Sequence, residues 1–274
     1  MKDVLAHLTG AYERAAPTYE RAGVAQHAPF SERLAQLVVL GPGGRVLDVG
    51  CGAGGALLPA ARRVGPTGEA VGIDVSAGMV ERTRAAAEDA GLEQVRAEVM
   101  DGAAPAFPDD HFDAVLAAFT LSAIPDAERA LAEWRRVLRP TGTLGVAVWE
   151  DLLDDAWRWE GELNNEFARE VPPELLETVG RLSRRFSESG TLRAALEGAG
   201  FSDVKIERKH ADVSFESAEA WWAWAWSGGF RAFLEALPED AQERYRAAGF
   251  AQLDGAGPAR LTRRFVALLA RARP

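Results

Sequence analysis

Apolar positions recur with helical spacing over about residues 3–15 and 31–39, then change character at residue 45. Pro17 breaks the first predicted helix. Ser31 is placed to cap the second, with Glu32 in its first turn, and Gly41-Pro42-Gly43-Gly44 stops it. From residue 45, short apolar runs bounded by glycine or turn residues alternate with helical stretches. The runs 45–49, 69–73, 95–99, 112–118 and 143–148 read as buried strands, with helices over 55–64, 77–90 and 126–138 between them. The region 150–188 reads as helical, with no clear strand. A helix over 189–198 closes at Gly200, a sixth strand covers 204–208, helical segments span 215–227 and 229–253, and a seventh strand covers 265–270. This alternation predicts an α/β fold: a Rossmann-like, doubly wound, mostly parallel seven-stranded sheet with helical lid insertions.

The first strand and its turn, Val46-Leu47-Asp48-Val49-Gly50-Cys51-Gly52-Ala53-Gly54, carry the strongest chemical signal. Gly50, Gly52 and Gly54 allow a sharp turn and a close backbone approach to a ligand. A glycine-rich turn alone is shared with nicotinamide and flavin enzymes. Acidic residues separate the cases. Asp48 precedes the turn, where it would repel a pyrophosphate and attract an ammonium group. Asp74 ends the second strand, the place from which a carboxylate grips ribose hydroxyls, and Asp101-Gly102 follows the third, within reach of an adenine amino group.

The stretches VLDVGCGAG, GIDVSAGMV, MDGAAPAFPDDHFDAV and LRPTGTLGVAVW, taken in order, resemble the class I S-adenosylmethionine-dependent methyltransferases of the ubiquinone/menaquinone-biosynthesis type, over about residues 45–149. The resemblance implies S-adenosylmethionine as cofactor, S-adenosylhomocysteine as product, and no metal. It places Asp48, Gly50, Cys51 and Gly52 around the methionine portion and Asp74 on the ribose. Val75 and Met79 would flank the adenine, Asp101 and Gly102 would meet its edge, and Ala118-Phe119 would lie under the sulfonium. Tyr19 resembles an N-terminal aromatic that closes over the cofactor. The family commonly has histidines after the fourth strand; this chain has Leu121-Ser122-Ala123, so a base at that position is lost. The implied organisation is an N-terminal helical lid (1–44), a cofactor-binding core (45–149), a helical insertion (150–188) and a C-terminal part of the core (189–274) with a Trp-rich insertion over about 211–260.

Catalytic residues are not apparent. His27 is the one weak candidate for a base or orienting group, while His111, in a Pro-Asp-Asp-His-Phe turn, reads as solvated. Tyr12, Ser122, Trp149, Trp222 and Trp226 are candidates for an acceptor pocket. On a helix Trp222 and Trp226 share one face and Trp221 and Trp224 another. Cys51 reads as filling space in the turn, and no His, Cys, Asp or Glu spacing resembles a metal site.

Composition narrows the partners. Net charge is −10, from 41 acidic and 31 basic residues, with the arginines scattered at helical spacing. That opposes a nucleic-acid or anionic-membrane partner. A single cysteine excludes an intrachain disulfide, and neither a signal-like segment nor a spanning run is present, so a cytoplasmic location is expected. A homodimer is left open. The expected activity is methyl transfer to a small-molecule acceptor on oxygen, nitrogen or carbon, in secondary or quinone-like metabolism. The alternatives are a nicotinamide-dependent oxidoreductase, which does not account for Asp48 or Asp101, and a non-catalytic regulatory subunit of the same fold, against which the intact cofactor residues argue.

Overall fold

The computed structural model describes residues 2–19, 24–150, 155–255, 257 and 261–274. These fall into two compact units. One comprises Met1–Gln26, Leu152–Arg181 and His210–Phe265; the other comprises His27–Asp151, Leu182–Lys209 and Val266–Pro274.

The second unit carries the parallel sheet. Its strands are β1 (Arg45–Val49), β2 (Glu69–Asp74), β3 (Val95–Val99), β4 (Phe112–Ala118) and β5 (Leu138–Trp149), followed by β6 (Ser202–Ser214) and β7 (Thr262–Arg273), of which the last two continue past its limits. The seven-stranded order is β3-β2-β1-β4-β5-β7-β6. β1 to β5 pair in parallel, with Asp48 opposite Gly72 and Leu116, and β7 runs antiparallel to β5. The chain therefore winds outward from β1 to β3, then returns to β4 on the other side of β1. Such a reversal leaves a crevice beyond the carboxyl ends of β1 and β4, where open α/β sheets take ligands.

Three crossover helices complete the winding: α3 (Leu57–Val64), α4 (Ala77–Asp89) and α5 (Ala127–Val137). Ser76 caps α4, its hydroxyl accepting from the Met79 N–H at 3.1 Å, and Asp126 caps α5 in the same way through Arg129. The apolar stripe of α5, including Leu131, Trp134 and Val137, is buried with Leu47, Val71, Val115 and Leu144 of the sheet. Strand and helix periodicities meet there in one core.

Two N-terminal helices depart from the sequence expectation. α1 spans Lys2–Thr18 with Pro17 inside it, and α2 spans Val24–Leu37 with Pro29 inside it. Ser31 is therefore not a cap. Pro17 lies in the last turn, where little helix remains to be interrupted. In α2 the loss of one backbone bond is offset by burial of Phe30, Leu34 and Ala35. β5 also begins earlier than predicted. Leu138 pairs with Phe112 and Thr143 with Ala114, so an irregularity absorbs Arg139 to Gly142 and lets Pro140 sit in the strand.

The first unit is helical and aromatic. It holds α1, a short 3-10 turn at Asp155–Trp157, α6 (Arg158–Phe167), α7 (Pro173–Arg184, whose last residues belong to the other unit), α9 (Ala218–Ala225), α10 (Arg231–Ala236) and α11 (Glu239–Leu253); α8 (Ser189–Gly198) lies in the sheet unit. Trp221 and Trp224 are buried on one face of α9, while Trp222 and Trp226 meet edge to face at 5.7 Å on another. Glu160 is buried beneath them. It accepts from the Trp221 indole at 3.1 Å and pairs with Arg263 at 2.5 Å, whose guanidinium lies over Trp157, Trp224 and Phe265. Gly249 of α11 leaves room for the Trp221 ring, which a Cβ would meet at 2.3 Å. Among the described residues no helix is long and apolar enough to cross a membrane.

Candidate active site

The turn after β1 is bound to the tip of β2. The Gly50 and Cys51 N–H groups both donate to the Ile73 carbonyl, at 2.7 and 3.0 Å. Gly50 has φ +67°, and a Cβ there would lie 2.2 Å from the Thr120 hydroxyl, so this position requires glycine on two counts. Gly52, at φ +54°, donates its N–H to Asp74 Oδ2 at 3.0 Å. The other Asp74 oxygen accepts from the Ser76 N–H at 2.9 Å. The carboxylate thus joins the glycine turn to the start of α4.

Asp48 lies beneath this turn and is only 1% exposed. Its Oδ1 has no hydrogen-bond partner among the described residues. Burial pushes its pKa up to about 8, the Leu57 backbone opposes the rise, and Asp74 adds to it. A buried carboxylate with an unused oxygen is costly without a cation or donor beside it.

Asp101 stands at the exposed end of the segment after β3, its Oδ1 accepting from the Ala103 N–H at 2.9 Å. The Met100 N–H donates to the Asp74 carbonyl at 3.0 Å, which holds this segment against the β2 tip. Gly102 is required by close approach, since a Cβ would meet Val49 Cγ1 at 2.6 Å. Asp48, Asp74 and Asp101 therefore stand at the same end of three adjacent strands. Val75, between the last two, is 53% exposed, whereas Met79 is buried within α4.

On the other side of β1, Phe119 follows β4 with φ +62°, a costly conformation for a bulky residue, held by its N–H bond to the Ala147 carbonyl at 2.8 Å. Its ring stacks on Trp149 at 4.0 Å, and His27 approaches both rings, at 5.0 and 5.2 Å. Ala118 precedes Phe119 in the chain and Ser122 follows it by three residues, both half-buried. Glu150, next to Trp149, is bound by Arg208 at 2.5 Å.

A methyltransferase-domain family profile matches residues 46–142. Nocamycin O-methyltransferase of Saccharothrix syringae is 36% identical over 239 residues, 84% of each chain. The chain belongs to the class I S-adenosylmethionine-dependent methyltransferases. It is of the quinone-biosynthesis-like type, and this membership implies S-adenosylmethionine as methyl donor. Aklanonic acid methyltransferase of a Streptomyces species is 39% identical over 208 residues, 72% of this chain and 93% of the relative. Among solved structures, the YcgJ protein of Bacillus subtilis matches with a TM-score of 0.58 at 19% identity, covering 89% of this chain and 97% of its own. A [4+2]-cyclase matches with a TM-score of 0.52 at 25% identity, covering 90% and 80%. The fold alone thus accommodates more than one reaction.

The site residues fit this donor. The unused oxygen of buried Asp48 suits an ammonium group, and the bare backbone at Gly52, where a Cβ would meet nothing within 4 Å, suits close contact with it. Among the described residues no cluster of three or more His, Cys, Asp or Glu could hold a metal ion.

Tyr12, Tyr19, Trp222 and Trp226 belong to the aromatic unit. Tyr12 packs on the turn at Gly229, where a Cβ would meet its hydroxyl at 2.5 Å, and Tyr19 is half-buried at the end of α1. The Cys51 thiol is buried under Gly72, and burial pushes its pKa up, as do Asp48 and Asp74, which disfavours the nucleophilic thiolate. His111, read as solvated from its turn, is half-buried and bonds Glu69 at 3.1 Å. Sequence reasoning missed Gly72, Thr83 and Thr120. Thr83 donates to the Gly52 carbonyl at 2.7 Å, and a glycine inside a buried strand was the available signal for close packing at Gly72.

Proposed function

We propose that this enzyme methylates a small organic acceptor of secondary or quinone-like metabolism, with oxygen as the methylated atom. The observation that carries this reading is the match, over most of both chains, to an O-methyltransferase and to aklanonic acid methyltransferase. When bound, S-adenosylmethionine supplies a methyl group activated by its sulfonium.

In this reading Asp74 holds the ribose hydroxyls, and Asp101 with Gly102 meets the adenine, flanked by Val75 and Met79. Asp48 neutralises the ammonium group from below, while Gly50, Cys51 and Gly52 present their backbone to the methionine portion. Ala118 and Phe119, at the end of β4, would lie on the sulfonium side of the bound cofactor. Acceptor groups then reach it past Ser122, Trp149 and His27. Methyl transfer in line needs chiefly alignment and exclusion of water, which rigid rings provide at little entropic cost. His27, against the Phe119 and Trp149 rings, is the candidate to take a proton from a hydroxyl acceptor. Tyr12, Tyr19, Trp222 and Trp226 enter no step of this reading.

The test is production of S-adenosylhomocysteine from S-adenosylmethionine across a panel of phenolic, enolic, carboxylic and amine acceptors. Turnover confined to oxygen acceptors supports the reading. Turnover confined to amines refutes it.

A further inference from the structure

The segment 100–111, between β3 and β4, has no regular structure, yet it carries Asp101 and Gly102. Its position is imposed from behind by the last turns of α5. The buried Trp134 indole donates to the Gly102 carbonyl at 2.8 Å. Two residues on, Arg136 donates to the Phe107 carbonyl at 2.8 Å and the Pro105 carbonyl at 3.1 Å, and to Asp109 at 2.7 Å. Glu133, one turn earlier, holds the same guanidinium at 2.8 Å and so fixes the fork. The helix end itself then takes over: the Asp110 and His111 N–H groups donate to the Arg136 and Val137 carbonyls.

Such a set is more than helix decoration. An irregular segment has its own backbone groups to satisfy, and each of its carbonyls that accepts from an α5 side chain removes one alternative path. Gly102 is already confined by Val49 on one side, so the indole bond on the other fixes its peptide plane. That plane decides where the Asp101 carboxylate stands.

We propose that Trp134 and Arg136 are positioning residues that set affinity for the adenine half of the cofactor by fixing the Asp101-Gly102 turn. This rests on the assignment of Asp101 to the adenine. Neither side chain belongs to the strand-tip cradle, so both act through the segment they hold.

The test is calorimetric titration of S-adenosylhomocysteine into the full chain as wild type, Asp101→Ala, Trp134→Phe and the double variant. Trp134→Phe keeps most of the ring volume and removes only the donor. The proposal expects its Kd to rise about tenfold. The double variant should then bind no more weakly than Asp101→Ala alone, because the two changes act on one contact. A merely structural tryptophan would lower the thermal midpoint and leave Kd unchanged, and losses that multiply in the double variant would equally overturn the proposal. An unchanged Kd in Asp101→Ala would instead remove the adenine assignment, and the proposal with it. Should Trp134→Phe not fold, Arg136→Met serves in its place, with the same expected rise and the same cycle.

Discussion

Asp74 Oδ2 accepts the Gly52 N–H at 3.0 Å, so the carboxylate at the tip of β2 is fastened to the turn that follows β1. The bond joins two parts of one cradle that lie 22 residues apart in the chain. It also holds Gly52 in its left-handed conformation, and Asp74 brings negative charge close to Asp48. A cation arriving there meets the Asp74 carboxylate and favours ionisation of Asp48 beside it.

That closeness has a pH signature. The folded-state pKa of Asp48, about 8, lies above its ordinary value near 3.8. Between those values the folded protein binds a proton that the unfolded chain does not, so the contribution is full below pH 4 and is lost as pH rises through 8. The thermal midpoint of the cofactor-free protein should therefore decline from pH 5 to pH 9, by an amount on the order of a few kcal/mol in stability. Asp48→Asn should flatten the decline. Identical slopes in the two proteins would contradict this account of Asp48.

Gly50→Ala introduces a Cβ 2.2 Å from the Thr120 hydroxyl at a positive φ. Strain of about 1–3 kcal/mol is expected, with loss of S-adenosylhomocysteine binding. Thr120→Gly on the same background relieves the clash but not the dihedral strain, so it should restore part of the midpoint. Full restoration would show that φ is unimportant there.

In the aromatic unit, Glu160→Ala leaves Arg263 without its carboxylate and the Trp221 indole without its acceptor. Breaking a buried pair from one side costs about 3–5 kcal/mol. Chemical denaturation should show that loss, while replacement of both partners, Glu160→Leu with Arg263→Met, should cost much less.

Cys51→Ala should retain turnover and cofactor affinity, because the thiol packs under Gly72 and its pKa is raised by burial. The measurement is the Kd of S-adenosylhomocysteine. A loss beyond about threefold would assign the sulfur a binding role that packing does not explain.

The strand cradle is legible in the sequence because its physics is local. A buried strand needs an apolar run, the turn needs glycine, and Asp48, Asp74 and Asp101 stand at or just past their strand tips, at positions that the pattern fixes. The proline-bearing helices are not legible in this way: the second helix reads as starting at Ser31, and burial of Phe30 and Leu34 explains why α2 runs through Pro29 instead. Arg136 reads as part of a solvated helix face, since its carbonyl partners at Pro105 and Phe107 come from a distant irregular segment. The Glu69 partner of His111 is hidden for the same reason, lying 42 residues earlier. Contacts made across the chain by a side chain of ordinary spacing leave no local pattern.

The most direct measurement is calorimetric titration of S-adenosylhomocysteine into the wild-type chain and Asp74→Ala. Wild type should bind one equivalent, and Asp74→Ala, folded by circular dichroism, should show no measurable binding. Equal affinity in both would mean that the β2 carboxylate does not hold the cofactor and that the strand-tip cradle is wrongly assigned.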